Sequence, residues 1–237
     1  MSISKTLKTA LAALAISLGF FTSASAQSYL DVTQPMFEDY FTVSTNAPAK
    51  PDGKGFIRRW SLLEPIPRPD LRSNNMFTDS WLRKEFAKEV FPGQMTVIPK
   101  DGDKVKLDKK TTLKWHCVDS KLFNVKLYRF ATGLGLHATE GLYQAVTVIE
   151  APRDMKVRLA VGSNSGSQWW LNGEDVLLLS NDRRMVVDDV VSKFITLKAG
   201  KNVLRGQIIN GPGMSDFCVR FLDENGNPVR NLKITNE

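Results

Sequence analysis

Val157-Arg158-Leu159-Ala160-Val161-Gly162-Ser163-Asn164-Ser165-Gly166-Ser167-Gln168-Trp169-Trp170-Leu171-Asn172-Gly173-Glu174 contains two apolar runs, a small-residue loop between them and an Asn-Gly pair after the second. Asn-Gly suits the two positive-φ positions of a type I′ turn, so the stretch reads as strand, loop, strand and tight hairpin turn. The same grammar continues on both sides. Apolar runs at residues 95–98, 114–118, 123–130, 143–150, 156–162, 168–172, 176–180, 194–197, 202–210, 215–223 and near Leu232 are separated by Gly, Asn, Asp and Pro turns such as Ala199-Gly200 and Glu224-Asn225-Gly226-Asn227-Pro228. Many short strands at this spacing predict an all-β fold, an antiparallel β-sandwich, and argue against βαβ units.

One short amino-terminal helix interrupts the pattern. After Phe77-Thr78-Asp79, the residues Trp81, Leu82, Phe86 and Val90 fall on one face, and Phe91-Pro92-Gly93 provides the stop. It is expected to pack on the sandwich. The preceding Glu64-Pro65-Ile66-Pro67-Arg68-Pro69 must run extended, because prolines at alternate positions remove backbone donors and fix φ. Residues 27–55 lack periodicity and hold Asn46-Ala47-Pro48-Ala49-Lys50-Pro51-Asp52-Gly53, which reads as a linker or loose arm. The sandwich domain is thus expected over residues 56–237, with 56–95 an extended segment plus the helix.

The first 26 residues have the form of a secretory signal peptide: Lys5 and Lys8, an apolar run from Ala10 to Phe21, and Ala24-Ser25-Ala26 as the cleavage site. The run is short of the ~20 residues that span a bilayer. Gln27 and Ser28, not Cys, follow the cleavage site, which argues against a lipid anchor. The expectation is an exported protein, periplasmic or extracellular, without a transmembrane segment. Removing 26 of 237 residues leaves 211, enough for one domain. The formal charge of +7 includes Lys5 and Lys8, and the other basic residues are scattered among acidic ones. No basic stripe with interleaved aromatics marks a nucleic-acid surface. Cys117 and Cys218 sit in apolar strand contexts; a disulfide is permitted in an oxidising compartment, and two buried thiols fit the context better.

The order of three motifs carries a resemblance. The stretch quoted above is followed by Ile195-Thr196-Leu197-Lys198-Ala199-Gly200-Lys201-Asn202-Val203-Leu204, then by Asp216-Phe217-Cys218-Val219-Arg220-Phe221 and Asp223-Glu224-Asn225-Gly226-Asn227-Pro228. Over roughly residues 123–234 this resembles the galactose-binding-like jelly-roll domains next to bacterial polysaccharide-degrading hydrolases, and the protective-antigen lectin domains. Residues 56–119 look like the amino-terminal module of Bacteroidetes acetyl-xylan esterases. The resemblance implies a carbohydrate-binding module with a polysaccharide or oligosaccharide ligand and a hydrolase or esterase partner. It also implies that Trp170, just before Leu171-Asn172-Gly173, points into the sandwich. Strand alternation then turns Trp169 to the other face.

A sugar needs an apolar face for its C–H bonds and a few fixed polar groups. Trp169 is therefore the candidate platform, unless the helix or the proline-rich segment covers it. Trp60 and Trp115 read as packing residues. Arg183, Arg184, Asn210 and Asp216 lie in loops that could supply the polar groups, although solvation or structural pairing explains Arg183, Arg184 and Asp216 better. Catalysis fares worse. Gly162-Ser163-Asn164-Ser165-Gly166 imitates a nucleophile elbow but has Asn at the serine position and links strand to strand. His116 and His137 are tied by no motif to a serine and an acid. Asp188-Asp189 would diverge on a strand. No cofactor is expected; a structural calcium is allowed for, with Asp175, Asp182 and Asp188 as ligands of no diagnostic spacing. Three readings follow: a non-catalytic carbohydrate-binding module, a structural or protein-interaction sandwich without a sugar site, and a small secreted esterase.

Overall fold

The computed structural model describes residues 37–71, 77–180 and 184–237. In chain order they form α1 Phe37–Tyr40, β1 Phe41–Val43, β2 Arg59–Leu63, β3 Ile66–Pro67, α2 Asp79–Phe86, β4 Lys104–Lys106, β5 Thr112–Ser120, α3 Leu127–Gly133 and β6 Gly141–Ala151. There follow β7 Met155–Ser163, β8 Gly166–Leu171, β9 Glu174–Leu179, β10 Val190–Val191, β11 Ile195–Leu197, β12 Gly200–Asn210, β13 Phe217–Leu222 and β14 Lys233–Thr235.

The strands make two antiparallel sheets. The larger runs β1-β5-β2-β6-β12-β8-β9, with β3 and β14 on β6 and β4 on β5; in the smaller, β7 pairs with β10, β11 and β13. Strand alternation gives each sheet an inner face, and the two inner faces close on one core. Trp60, Tyr143, Leu159, Trp169, Ile208, Phe217, Val219 and Phe221 meet there. Aromatic edges lock its centre, with Trp60, Trp169 and Phe217 in mutual T-shaped contact at 5.1–5.8 Å between ring centroids. The fold is the all-β antiparallel sandwich that the strand spacing predicts.

The outer face of the larger sheet is covered as well. Thr78 caps α2 by accepting from the Trp81 amide, and the i, i+4 pair Leu82 and Phe86 faces inward. With Phe77 and Phe91 they pack on Leu63, Trp115, Val146, Trp170 and Ile209, a second apolar cluster behind the sheet. The chain is therefore three layers deep over β8 and β12. This arrangement decides where a ligand can enter.

The Asn-Gly turn stands as read: Asn172 and Gly173 have φ of 52° and 86° and join β8 to β9. A Cβ on Gly173 would meet nothing within 4 Å, so only backbone strain opposes a side chain there. Gly173→Val should cost about 1–2 kcal/mol. A melting temperature unchanged from the parent would show that the hairpin tolerates another turn type.

Four local expectations are corrected. Residues 123–130 were read as a strand, but Leu127–Gly133 is helical, with Leu127, Phe130 and Ala131 buried at i, i+3 and i+4. There are accordingly three short helices among the described residues, not one. Residues 95–98 form a turn and a connection instead of a strand, and Lys104–Lys106 pairs with β5 unforeseen. The segment read as a loose arm is docked from Phe37 onward. Phe41 is in the core, β1 pairs with β5, Ala49 bridges Ile234, and the Ala47 carbonyl accepts from Arg59. One or two anchoring aromatics suffice to hold such a segment, too few to make a period. Residues 1–36, with the signal-peptide reading, lie outside the described residues. Cys117 in β5 and Cys218 in β13 are buried free thiols.

Candidate ligand cleft

On the outer face of the larger sheet, three neighbouring strands bring the same residue type into line. Gln207 of β12 stands opposite Gln144 of β6 on one side and Gln168 of β8 on the other. The next row in the same register is Val146, Arg205, Trp170 and Asp175, the last displaced by a register shift between β8 and β9 at Trp169/Trp170. Residues of one row on one face have Cβ atoms ~5 Å apart. A three-glutamine ladder with an arginine beside it thus crosses a sheet face that is otherwise apolar. All four polar side chains are buried.

Helix α2 and the turn after it lie above this surface. Between them and β8 opens a cavity of about 280 Å3, lined by Arg83, Phe86, Lys88, Gln94, Gln168 and Trp170 among others. Trp170 stands edge-on to Phe86 at 6.5 Å. Gln168 donates through Nε2 to Asp175 Oδ2 at 2.8 Å, and Arg83 Nη1 meets the same oxygen at 2.7 Å. A carboxylate only accepts, so the contact with Asp175 fixes which end of the Gln168 amide is nitrogen. Its Oε1 is then a buried acceptor with no donor among the described residues. Gln144 Nε2, Gln207 Oε1 and Arg205 Nη1 are in the same condition. The Gln207 Nε2 reaches only the Met95 sulfur, at 3.6 Å. Buried polar atoms without partners are destabilising by ~1–3 kcal/mol each, so four on one sheet face need a reason.

The residues nominated from sequence fall elsewhere. Trp169 is 0% exposed and sits in the inner core, with Nε1 donating to Ser167 Oγ at 3.1 Å. It offers no face to a ligand. Alternation separated the two tryptophans correctly but in the opposite sense, and Trp170 is the one on the cleft side. Asn210 and Asp216 do come together, through the loop Ser163-Asn164-Ser165. Asn164 Oδ1 accepts from the Asp216 amide at 2.7 Å, and Asn210 Oδ1 accepts from Ser165 Oγ at 3.0 Å. Asn124 Nδ2 and Lys126 Nζ hold the Asp216 carboxylate at 2.6 and 2.7 Å. These bonds tie loops together and occupy the polar atoms. Arg184 is exposed, and Arg183 lies outside the described residues. Trp60 and Trp115 are packing residues as expected.

The remaining chemistry is also engaged. His116 Nε2 lies 3.0 Å from Glu64 Oε1, and its ring meets Phe130 edge-on. His137 Nε2 lies 2.9 Å from Thr139 Oγ1 on the surface. Ser163 Oγ donates to the Ser165 carbonyl at 2.9 Å inside the strand-to-strand loop. Of the calcium candidates, Asp175 is shared by Arg83 and Gln168, Asp188 pairs with Arg220, and Asp182 lies outside the described residues. Among the described residues no group of three or more His, Cys, Asp or Glu gathers as a metal site, and no helix is long and apolar enough to cross a membrane.

No family model and no curated protein matches. Among solved structures, a PA14 sugar-binding domain from an RTX adhesin is similar at 10% identity and a TM-score of 0.44, covering 76% of this chain and 95% of that one. A β-glucosidase from Kluyveromyces marxianus is similar at 15% identity over 52% of this chain, with TM-scores of 0.35 for its selenomethionine-labelled form and 0.37 for its complex with glucose. The match spans 16% of the β-glucosidase chain.

No sequence signal singled out the ladder. Gln144, Gln168 and Gln207 lie on three strands, β6, β8 and β12, that are far apart in sequence. Their alignment exists only once the β6-β12-β8 register is known.

Proposed function

We propose that this chain is a non-catalytic carbohydrate-binding module of an exported polysaccharide-utilisation system, acting beside a hydrolase or esterase, and that its glycan enters the cleft between α2 and β8. The observation that carries the proposal is Gln168: a buried amide whose Oε1 lacks a donor, at the wall of a cavity that also presents the Trp170 indole. An apolar ring face beside fixed donors and acceptors is what a sugar ring requires. Lys88 and Glu89 also line the cavity.

The test uses two substitutions and a panel of plant polysaccharides in affinity gels. Gln168→Leu keeps the volume and removes the unpartnered acceptor but also the Nε2 bond to Asp175, which Arg83 still holds, so the fold should lose no more than about 1–2 kcal/mol. Retention should fall about tenfold, the worth of one good hydrogen bond. Trp170→Ala should abolish retention at a moderate cost in stability, since Phe86 loses its partner. Full retention by both variants would remove the cleft from consideration.

A second reading, a protein-interaction module without a sugar site, rests on a different surface. Val186, Val187, Val191 and Phe194 are exposed, and Lys156 and Arg158 stack on the Phe194 ring at 4.6 and 5.2 Å. That reading gains if no polysaccharide retains the wild-type protein.

A further inference from the structure

Arg205 and the other arginine buried in the larger sheet are treated in opposite ways. Arg59, 4% exposed, is clamped by Asp119, with Nε to Oδ1 at 2.7 Å and Nη2 to Oδ2 at 2.8 Å, and donates its remaining nitrogen to the Ala47 carbonyl. Arg205, 6% exposed, has no such clamp: its Nη1 is buried without a hydrogen-bond partner among the described residues. Burial alone acts on its ionisation, bringing its pKa down to about 10, so it remains a cation at neutral pH. A buried cation left without a counter-charge is strongly unfavourable unless something else supplies the charge. Its cross-strand neighbours are Val146 and Trp170, neither of which can. The nearest carboxylate in the row, Asp175, is already shared by Arg83 and Gln168.

We infer that the ligand of this face is an acidic glycan, whose uronate carboxylate is taken by Arg205 while its hydroxyls pair with the glutamine ladder. The inference rests on the cleft reading above and extends it from a cavity wall to a whole row of the sheet. Each unpartnered atom has a complement in such a ligand. Gln168 Oε1 and Gln207 Oε1 accept from hydroxyls, Gln144 Nε2 donates to one, and the planar guanidinium fork matches a carboxylate. A neutral glycan would serve the amides and leave the cation unmatched. Gln144, Gln207 and Arg205 are buried and do not line that cavity, so the ligand reaches them only where the turn after α2 lifts from the sheet. The turn after α2 closes its hydrogen bonds on itself, with Gln94 accepting from the Val90 amide and donating to the Lys88 carbonyl, and the Thr96 and Val97 amides donating to the Gly93 carbonyl. Its polar contact with the ladder is the weak one from Gln207 to Met95.

The experiment measures affinity-gel retention and calorimetry with polygalacturonate and alginate as acidic probes, and xylan and galactomannan as neutral ones. Wild type should be retained by an acidic probe and far less by the neutral ones. Arg205→Met should lose at least tenfold in affinity for the acidic probe while melting at or above the wild-type temperature, because the unmatched charge is gone. Arg205→Lys, which keeps the charge and loses the fork, should fall between the two and keeps the test open if the methionine variant folds poorly. Unchanged acidic binding in Arg205→Met overturns the inference, since the attraction would then be general surface charge. Retention by neutral probes alone also overturns it and leaves the carbohydrate reading standing. Retention by no probe overturns both.

Discussion

Trp169→Ala is expected to destabilise the domain by about 3–5 kcal/mol, the cost of emptying a large aromatic site that cannot collapse. In a domain of this size each kilocalorie moves the melting temperature by ~2–4 °C, so a drop of roughly 6–20 °C should appear in a thermal scan. The environment explains the size of the effect. Trp169 lies between the sheets with Trp60 and Phe217 packed edge-on at 5.8 and 5.2 Å, and its Nε1 donates to Ser167 Oγ. Those partners belong to β2, β13 and β8, on both sheets, so relaxation to fill the void would have to move strands. Trp170→Ala is the control. Trp170 belongs to the thinner cluster under α2, is 8% exposed, and should cost less stability while affecting ligand retention more. The measurement is a melting curve and a polysaccharide gel for each variant. Equal losses of stability would mean that the two layers share one cooperative core and that the cleft-facing role of Trp170 is incidental.

The contrast between these two tryptophans marks what the sequence could and could not tell. Alternation along a strand states that neighbours face opposite ways, and Trp169 and Trp170 do. It says nothing about which face is inner, and the resemblance to other jelly rolls supplied the wrong sign. The ordinary cue, a polar outer face, was missing because α2 with Phe77 and Phe91 covers the larger sheet and lets Trp115, Val146 and Ile209 be apolar there too. Sandwich class, the Asn172-Gly173 turn and the Leu82/Phe86 face of α2 were legible because each rests on local chemistry. The helix Leu127–Gly133 was not: its apolar residues also fit a strand over so short a run, and contact with α1 and the core decided the matter. Asn210 and Asp216 looked available because loop residues in isolation have free polar atoms. Asn164, Ser165, Asn124 and Lys126, distant in sequence, use those atoms up. The ladder of Gln144, Gln207 and Gln168 lies at the other extreme, a feature made wholly by register between three strands.

Gly206→Ala should be nearly as damaging as the loss of Trp169, though it adds only one carbon. Gly206 is in the middle of β12, opposite Ala145 on one side and Trp169 on the other, and its missing side chain is the space the indole fills. A Cβ there would lie 2.5, 2.6 and 2.8 Å from Cζ3, Cη2 and Cε3 of Trp169, closer than real Cβ atoms come. The obstacle is a rigid ring and not the far end of a flexible chain, and Trp60, Phe217 and the Ser167 hydroxyl fix that ring from the other sides. Overpacking of this kind typically costs ~1–3 kcal/mol and more where nothing can move, so a loss of about 3 kcal/mol is expected. Gly206 is not among the glycines with positive φ, so alanine's backbone preferences add nothing and the effect is steric alone. That makes it separable by a double-mutant cycle. In a Trp169→Leu background the ring is gone, and Gly206→Ala should then cost less than about 1 kcal/mol, a coupling of ~2 kcal/mol between the two sites. Additive losses in the cycle, or a Gly206→Ala variant that melts within a degree or two of wild type, would show that the indole can slide within its pocket and that the aromatic centre of the sandwich is looser than its contacts imply.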